Sequence, residues 1–294
     1  MARRLEVRHV ALLLGVTAVW GWTFVLVKDA ISEFPPVPFL ALRFTVALAA
    51  LALVVRRVPS LKVAASGAAI GAVLAAGYLL QTLGLAHTSP GNAGLITGLF
   101  FVFTPLLDRV FGATVGARTL LAVAVALLGT VLLTTGGRTA IGFGDLLVLG
   151  CAVCFALQIV LLSRWGPGLP AADLTLVQLA ACAVLFTAAG ATQFRAPSAG
   201  VWLAIVITGI FASALAFFIQ TRAQSHLSAP TTALVLATEP AWALLFSVVL
   251  AGQRFGLLQG LGAGLLLAGI AGHELPLRRH EARRRHASGH TVKL

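Results

Sequence analysis

The chain has 294 residues, of which 59% are hydrophobic and 10% charged, and its mean hydropathy is +0.98. Such a composition lies far outside that of soluble domains; at about 20 apolar residues per bilayer crossing, roughly ten helices absorb most of the length and exclude a separate soluble ATPase domain. The formal net charge of +12 sits in short gaps between apolar runs and at both ends, an arrangement that reports membrane orientation and excludes a nucleic-acid partner.

Apolar runs bounded by charge, Pro or Gly predict spans over 9–28, 36–55, 64–86, 90–111, 117–134, 143–163, 172–191, 199–221, 229–250 and 256–273. Span one follows Arg3, Arg4 and Arg8 and so resembles a signal peptide. No small-x-small cleavage site comes after it, and Trp20-Gly21-Trp22 continues the helix, so an uncleaved span is expected. Pro90 and Pro230 suit the first turns of spans four and nine, where a missing N–H costs nothing, with Ser89 and Ser228 placed to cap the exposed amides. Cys151, Cys154 and Cys182 are odd in number and lie on apolar stretches, which argues for packing residues and against a disulfide framework. Gly67-Gly71, Gly112-Gly116 and Gly256-Gly260-Gly264 form small-xxx-small faces that suit close helix packing, either within a monomer or between the protomers of a homodimer. The segment 274–294 is a basic tail in which His280, His286 and His290 alternate with arginines. It suits contact with anionic membrane lipids, and no metal or other cofactor is expected.

The segment Tyr78-Leu-Leu-Gln81-Thr82 … His87 … Ser89-Pro90-Gly-Asn-Ala93 returns as Phe217-Phe-Ile-Gln220-Thr221 … His226 … Ser228-Ala-Pro230-Thr-Thr-Ala233. Gly15, Trp20, Arg43 and Phe44 align at one constant spacing with Gly150, Phe155, Gln178 and Leu179, while Ala93, Gly112 and Gly129 align at a slightly larger one with Ala233, Gly252 and Gly269. Two five-span halves follow, 9–134 and 143–273. Because five is odd, the second half enters the bilayer from the opposite side. The expected fold class is an all-α membrane protein of ten transmembrane helices, built as two inverted five-helix repeats. With the N-terminus inside, Arg3, Arg4, Arg8, Arg56, Arg57, Lys62, Arg109, Arg118, Arg164, Arg222 and the basic tail fall on the cytoplasmic side. The outer side receives Lys28, Arg138, Arg195 and Arg254, so the positive-inside rule places both termini in the cytoplasm, in the inner cell membrane.

Trp20-Gly21, Leu42-Arg43-Phe44, Ser89-Pro90-Gly-Asn-Ala93, Phe103-Thr104-Pro105-Leu106-Leu107, Glu239-Pro240 and Gly260-Leu-Gly262 through Gly269 resemble, in order and over about residues 9–273, the EamA-type ten-span carriers of the drug/metabolite transporter superfamily. The resemblance implies a multi-pass cytoplasmic-membrane carrier of small metabolites, often amino acids or their derivatives, with a central cavity lined by both halves. The chain departs from the family pattern at Ala113 and Gln253, where an acidic residue usually ends spans four and nine. Span one has no carboxylate between Val10 and Val27, whereas the small multidrug relatives use one there for protons and cations.

Arg43 and Glu239 are the formal charges well inside predicted spans, and insertion scales put an unpaired one near the bilayer centre at about 2.5–3.5 kcal/mol. At about 1.5 Å per residue their depths differ by about 6 Å, a gap that a guanidinium can cover. Two readings stand side by side. Either Arg43 faces the cavity and holds an anionic group such as a carboxylate, with Glu239 as its resting partner or as an amine site, or the two form a structural ion pair between the halves. Pro105 frees the carbonyl of Phe101 and Pro240 that of Leu236, so both mark expected hinges or helix breaks, or kinks that Thr104 and Thr238 satisfy. Gln81, Gln158, Gln178 and Gln220 are candidates for the cavity wall or for helix cross-links. Trp20, Trp22, Tyr78 and Phe100 are candidates for an aromatic lining, while Trp202 suits an interfacial belt.

No Gly-rich phosphate loop ending in Gly-Lys-Ser or Gly-Lys-Thr occurs, so energy must come from a proton or other ion gradient. The expected function is a secondary transporter that moves small organic metabolites, amino acids or related compounds foremost, in the direction of export and by alternating access. A non-transporting receptor or scaffold and a cationic drug efflux carrier are the alternatives. An enzyme is not expected, because Asp108 and Asp145 lie near span ends and the histidines are dispersed, leaving no nucleophile cluster at membrane depth.

Overall fold

In lipid a backbone must satisfy its polar groups within its own segment, so the apolar runs can only be helices. The computed structural model describes residues 2–274 except 57, 113–115, 118–120, 122, 123, 126, 130, 133–140, 228, 253 and 255. Arg57, Ala113, Arg118, Arg138, Ser228, Gln253, much of the expected fifth span and the tail histidines lie outside the described residues. The helices are α1 (Ala2–Glu33), α2 (Pro36–Ala52), α3 (Leu61–His87), α4 (Pro90–Thr97), α5 (Phe100–Val110), α6 (Phe143–Trp165), α7 (Ala171–Gly190), α8 (Ala199–Gly209), α9 (Ala216–Gln224), α10 (Ala229–Leu236), α11 (Glu239–Val249) and α12 (Leu257–Glu274). A π turn, Ile210–Leu215, joins α8 to α9 without interrupting the rod.

Among the described residues, six helical stretches are long and apolar enough to cross a membrane: Val7–Glu33, Leu61–His87, Pro90–Val110, Phe143–Trp165, Ala171–Gly190 and Ala199–Gln224. The expected second span is a shorter apolar helix of 17 residues, and the expected ninth is divided between α10 and α11. Local chemistry sets the helix starts. Ser60, Ser89 and Ser198 accept the N–H groups of Val63, Asn92 and Val201 at 3.5, 3.2 and 3.3 Å, and Pro90 occupies the first turn of α4.

Spans four and nine break in the middle, at Gly98–Leu99 and at Ala237–Thr238. The first break corrects the expectation at Pro105, which lies buried inside an unbroken α5. A contact between distant segments marks the place: a Cβ on Gly98 would collide with the Pro240 ring, and one on Gly94 with the Ala243 methyl. Pro240 itself stands in the first turn of α11, directly after the second break, where its missing N–H has no helical acceptor to lose. Thr104 donates to the Phe100 carbonyl at 2.7 Å and Thr238 to that of Val235 at 2.9 Å, so neither hydroxyl meets the expected carbonyl, of Phe101 or of Leu236.

α2 packs along α7, and α3 packs on both α6 and α7. Contacts recur with the two halves exchanged. A Cβ on Gly71 of α3 would lie 2.8 Å from the Gln178 backbone oxygen, and one on Gly209 of α8 would lie 2.9 Å from the Arg43 backbone oxygen. Arg43 and Gln178 are the pair that the internal repeat aligns. Likewise Tyr78 meets Phe155 with ring centroids 5.3 Å apart, Phe217 meets Trp20 at 5.4 Å, and Tyr78 and Phe217 meet each other at 5.9 Å. Gly67 and Gly71 close onto α7, whereas Gly260 and Gly264 of α12 have nothing within 4 Å of an added Cβ among the described residues. The three cysteines are free thiols, and the Cys182 thiol donates to the Gly71 carbonyl at 3.4 Å.

Candidate functional site

α1, α2, α3, α6, α9 and the two broken spans surround a narrow cavity in which about 40 Å³ is open to the centre of a water molecule, room for a few ordered waters. Trp20, Arg43, Tyr78, Gln81, Phe100, Gln158, Gln220 and Glu239 share its wall with Phe155 and Phe217. Trp22 is not on that wall. Gln178, expected there, is fully buried behind it, because its amide donates to the Leu174 carbonyl of its own helix at 3.3 Å and accepts from Gln158 at 3.4 Å.

Arg43 is 2% exposed. Its Nε donates to Ser213 Oγ at 2.9 Å, an Nη donates to the Tyr78 hydroxyl at 3.4 Å, and the guanidinium carbon lies 4.7 Å from the Tyr78 ring centroid. Those two bonds use two of the five N–H groups that a guanidinium carries, and the remainder find no acceptor among the described residues. The expected ion pair with Glu239 is not formed; the ion pair among the described residues is Arg164–Asp108, at 2.6 Å and at helix ends. Ser213 and Tyr78 hold the guanidinium instead.

Glu239 is 4% exposed and opens α11, so its carboxylate stands at a helix N-terminus, where unsatisfied amides favour negative charge. Among the described residues no hydrogen bond or ion pair reaches that carboxylate. The Gln220 side-chain oxygen is also buried without a partner. The cavity thus offers open donors on Arg43, an open carboxylate on Glu239, and aromatic faces between them.

Several contributors carry no local signal of their role. Ser213 and Ala212 belong to the π turn; the Trp20 indole N–H donates to the Ala212 carbonyl at 2.8 Å, which fixes the ring on the cavity wall. Thr97 accepts from Gln81 at 3.2 Å. Gln224 extends the glutamine set: Gln220 donates to Gln158 at 3.1 Å and to Gln224 at 3.0 Å, and Gln224 donates to Ser163 at 2.8 Å. Its spacing of four residues from Gln220, one helical turn, is the sequence signal that would have found it. This polar line runs from the cavity to a wider hollow of about 380 Å³ lined by Asp108, Ser163, Arg164, Gln224, Ser225 and His226. At the opposite ends of α1 and α3, the Lys28 ammonium donates to the carbonyls of Leu85, Ala86 and Thr88 at 2.7, 3.1 and 3.0 Å, and Thr88 donates to Asp145 at 2.7 Å.

Among the described residues no nucleophile and base are paired on the cavity wall; the arrangement brings charged, amide and aromatic groups to one narrow space. Known proteins resemble this chain over most of its length. The model of the EamA-like transporter family matches twice, over residues 8–135 and 142–273. An uncharacterized transporter of Archaeoglobus fulgidus is 30% identical over 87% of this chain and 82% of its own length. The uncharacterized transporter YyaM of Bacillus subtilis is 28% identical over 88% and 91% of the two chains, and the uncharacterized inner membrane transporter YedA of Escherichia coli is 25% identical over 88% of each. A crystal structure at 25% identity superposes with a TM-score of 0.70, covering 92% of this chain and 98% of that one. With apolar helices throughout and the family's pattern present in both halves, this chain is a multi-pass membrane protein that belongs to the EamA-like transporter family, within the drug/metabolite transporter superfamily.

Proposed function

We propose that this protein is a secondary carrier that exports small organic metabolites, amino acids or related compounds foremost, by alternating access across the inner cell membrane with both termini in the cytoplasm. The observation that carries the reading is the set of unspent polar groups in one cavity: among the described residues, a buried guanidinium without an anionic partner, and a buried carboxylate without a cationic one. Burying such charges separately is costly unless something arrives to pair them, and a zwitterion supplies both partners at once. The aromatic faces of Trp20, Tyr78, Phe155 and Phe217 suit an apolar or aromatic body on that zwitterion.

Two inverted five-span halves supply the transport cycle in this reading. Contacts that recur with the halves exchanged are what a two-fold axis between them produces; five spans per half put that axis in the membrane plane in this reading, and swapping the two halves' conformations opens the cavity to the other side. In the proposed orientation Lys28 and its three carbonyls seal the outer side, while the hollow beside Arg164 and Gln224 lies toward the cytoplasm. The conformation is then an inward-facing one.

Reconstitution into liposomes tests the proposal. Radiolabelled amino acids, nucleosides, sugars and cationic dyes are offered with and without a pH gradient, and Arg43→Gln and Glu239→Gln variants run in parallel. Flux of a zwitterion that both variants abolish is expected. A folded wild-type protein that moves nothing in the panel supports the receptor reading, and flux of cationic dyes alone supports the drug-efflux one.

A further inference from the structure

Along spans three and eight the spacing between the two halves changes within about two helical turns. Ser60, the cap of α3, corresponds to Ser198, the cap of α8, and Gly71 corresponds to Gly209, both 138 residues on; Tyr78 and Phe217, Gln81 and Gln220, and Thr82 and Thr221 correspond at 139. The correspondence is structural as well, since Gly71 seats the Gln178 backbone and Gly209 the Arg43 backbone. One additional residue therefore lies between Gly209 and Phe217 in the second half. That interval is where span eight passes through its π turn, Ile210–Leu215, while α3 continues as a regular helix from Leu61 to His87. A π turn is the form in which a helix accommodates one inserted residue while the flanking turns keep their register, and such turns gather at functional sites.

We propose that this single inserted residue makes one of two equivalent places, the one on the cavity wall, an anion-recognising site, and so sets the protein's preference for solutes carrying a carboxylate. The proposal rests on the reading of Arg43 given under Proposed function. Within the turn, Ser213 is brought onto Arg43 Nε, and the Ala212 carbonyl accepts the Trp20 indole N–H. Both side chains are thereby fixed, and the guanidinium keeps its remaining N–H groups for a ligand on the cavity wall. The equivalent place in the first half is neutral. Gln178 stands there in place of Arg43 and is bonded back to its own helix, and the residues matching Ser213, Leu74 and Ala75, carry no polar side-chain atom. Ser213 and the Ala212 backbone are in this sense positioning groups: they act on the ligand through Arg43 and Trp20.

The test compares benzoate with benzamide, a charged and a neutral planar probe of nearly the same shape, by thermal-shift titration of the full-length detergent-purified protein. Wild type is expected to bind benzoate at least tenfold more tightly than benzamide. Deletion of Ala212, which returns span eight to the register of span three, is expected to reduce that preference at least tenfold. A wild type without preference overturns the Arg43 reading itself, and this proposal with it. A preference that Arg43→Gln removes and the deletion retains overturns the role of the π turn alone. Should the deletion variant fail to fold, the Ser213→Ala, Trp20→Phe double variant decides, since it removes both contacts without changing register; an unchanged preference there also overturns the proposal.

Discussion

Gly209→Ala measures how closely spans two and eight are held. A Cβ at this position would stand 2.9 Å from the Arg43 backbone oxygen, 2.9 Å from Val46 Cγ1 and 3.0 Å from Val46 Cβ, where ordinary contacts begin at 3.4 Å. Neither neighbour yields easily: the oxygen belongs to helix backbone, and Val46 is β-branched with one preferred rotamer. Relief requires α8 to back away by the difference, about 0.5 Å. Overpacking of this kind costs about 1–3 kcal/mol, and replacing a helical glycine with alanine returns about 1 kcal/mol. Gly15→Ala is the control, since an added Cβ there meets nothing within 4 Å and the variant keeps the propensity gain alone. Equilibrium unfolding of both variants in detergent should place Gly209→Ala about 1–3 kcal/mol below Gly15→Ala. The same movement carries Ser213 away from Arg43 Nε, from 2.9 Å towards the limit of a hydrogen bond, so benzoate binding should weaken with it. Equal stability of the two variants refutes the close-approach argument.

Gly71→Ala should lose a similar amount in the same assay, because its Cβ would lie 2.8 Å from the Gln178 backbone oxygen; a loss seen at only one of the two glycines contradicts their equivalence. Lys28→Ala removes the donor shared by three carbonyls at the end of α3, and amide exchange over residues 88–93 should quicken at least tenfold; unchanged protection means that Lys28 seals nothing. Gln224→Leu cuts the polar line between the cavity and the wider hollow and leaves its buried partners unpaired, so cargo flux in liposomes should fall several-fold and the unfolding free energy should drop by about 1–3 kcal/mol. Asp108→Asn breaks an ion pair whose side chains are 18% and 35% exposed, and screening by water and salt should hold the loss of stability below about 1 kcal/mol.

Much of this protein is legible in its residues because lipid leaves the backbone so few choices. An apolar run of adequate length must become a helix, and Ser60, Ser89 and Ser198 start helices through a bond to an amide three residues away, an entirely local event. Polar or aromatic groups in such runs need shelter from hydrocarbon, which is why Arg43, Gln81, Gln158, Gln220 and Glu239 gather on one cavity wall with Trp20, Tyr78 and Phe100. What sequence could not settle is which partner each group meets. Arg43 bonds to Ser213 rather than Glu239, Gln178 turns back to its own helix, and span four breaks beside Gly98 rather than at Pro105. Each of those outcomes depends on an approach between segments far apart in the chain, where tenths of an ångström decide whether a Cβ or a ring fits. Helix formation is settled within a few residues, whereas the cavity exists only once the spans have packed.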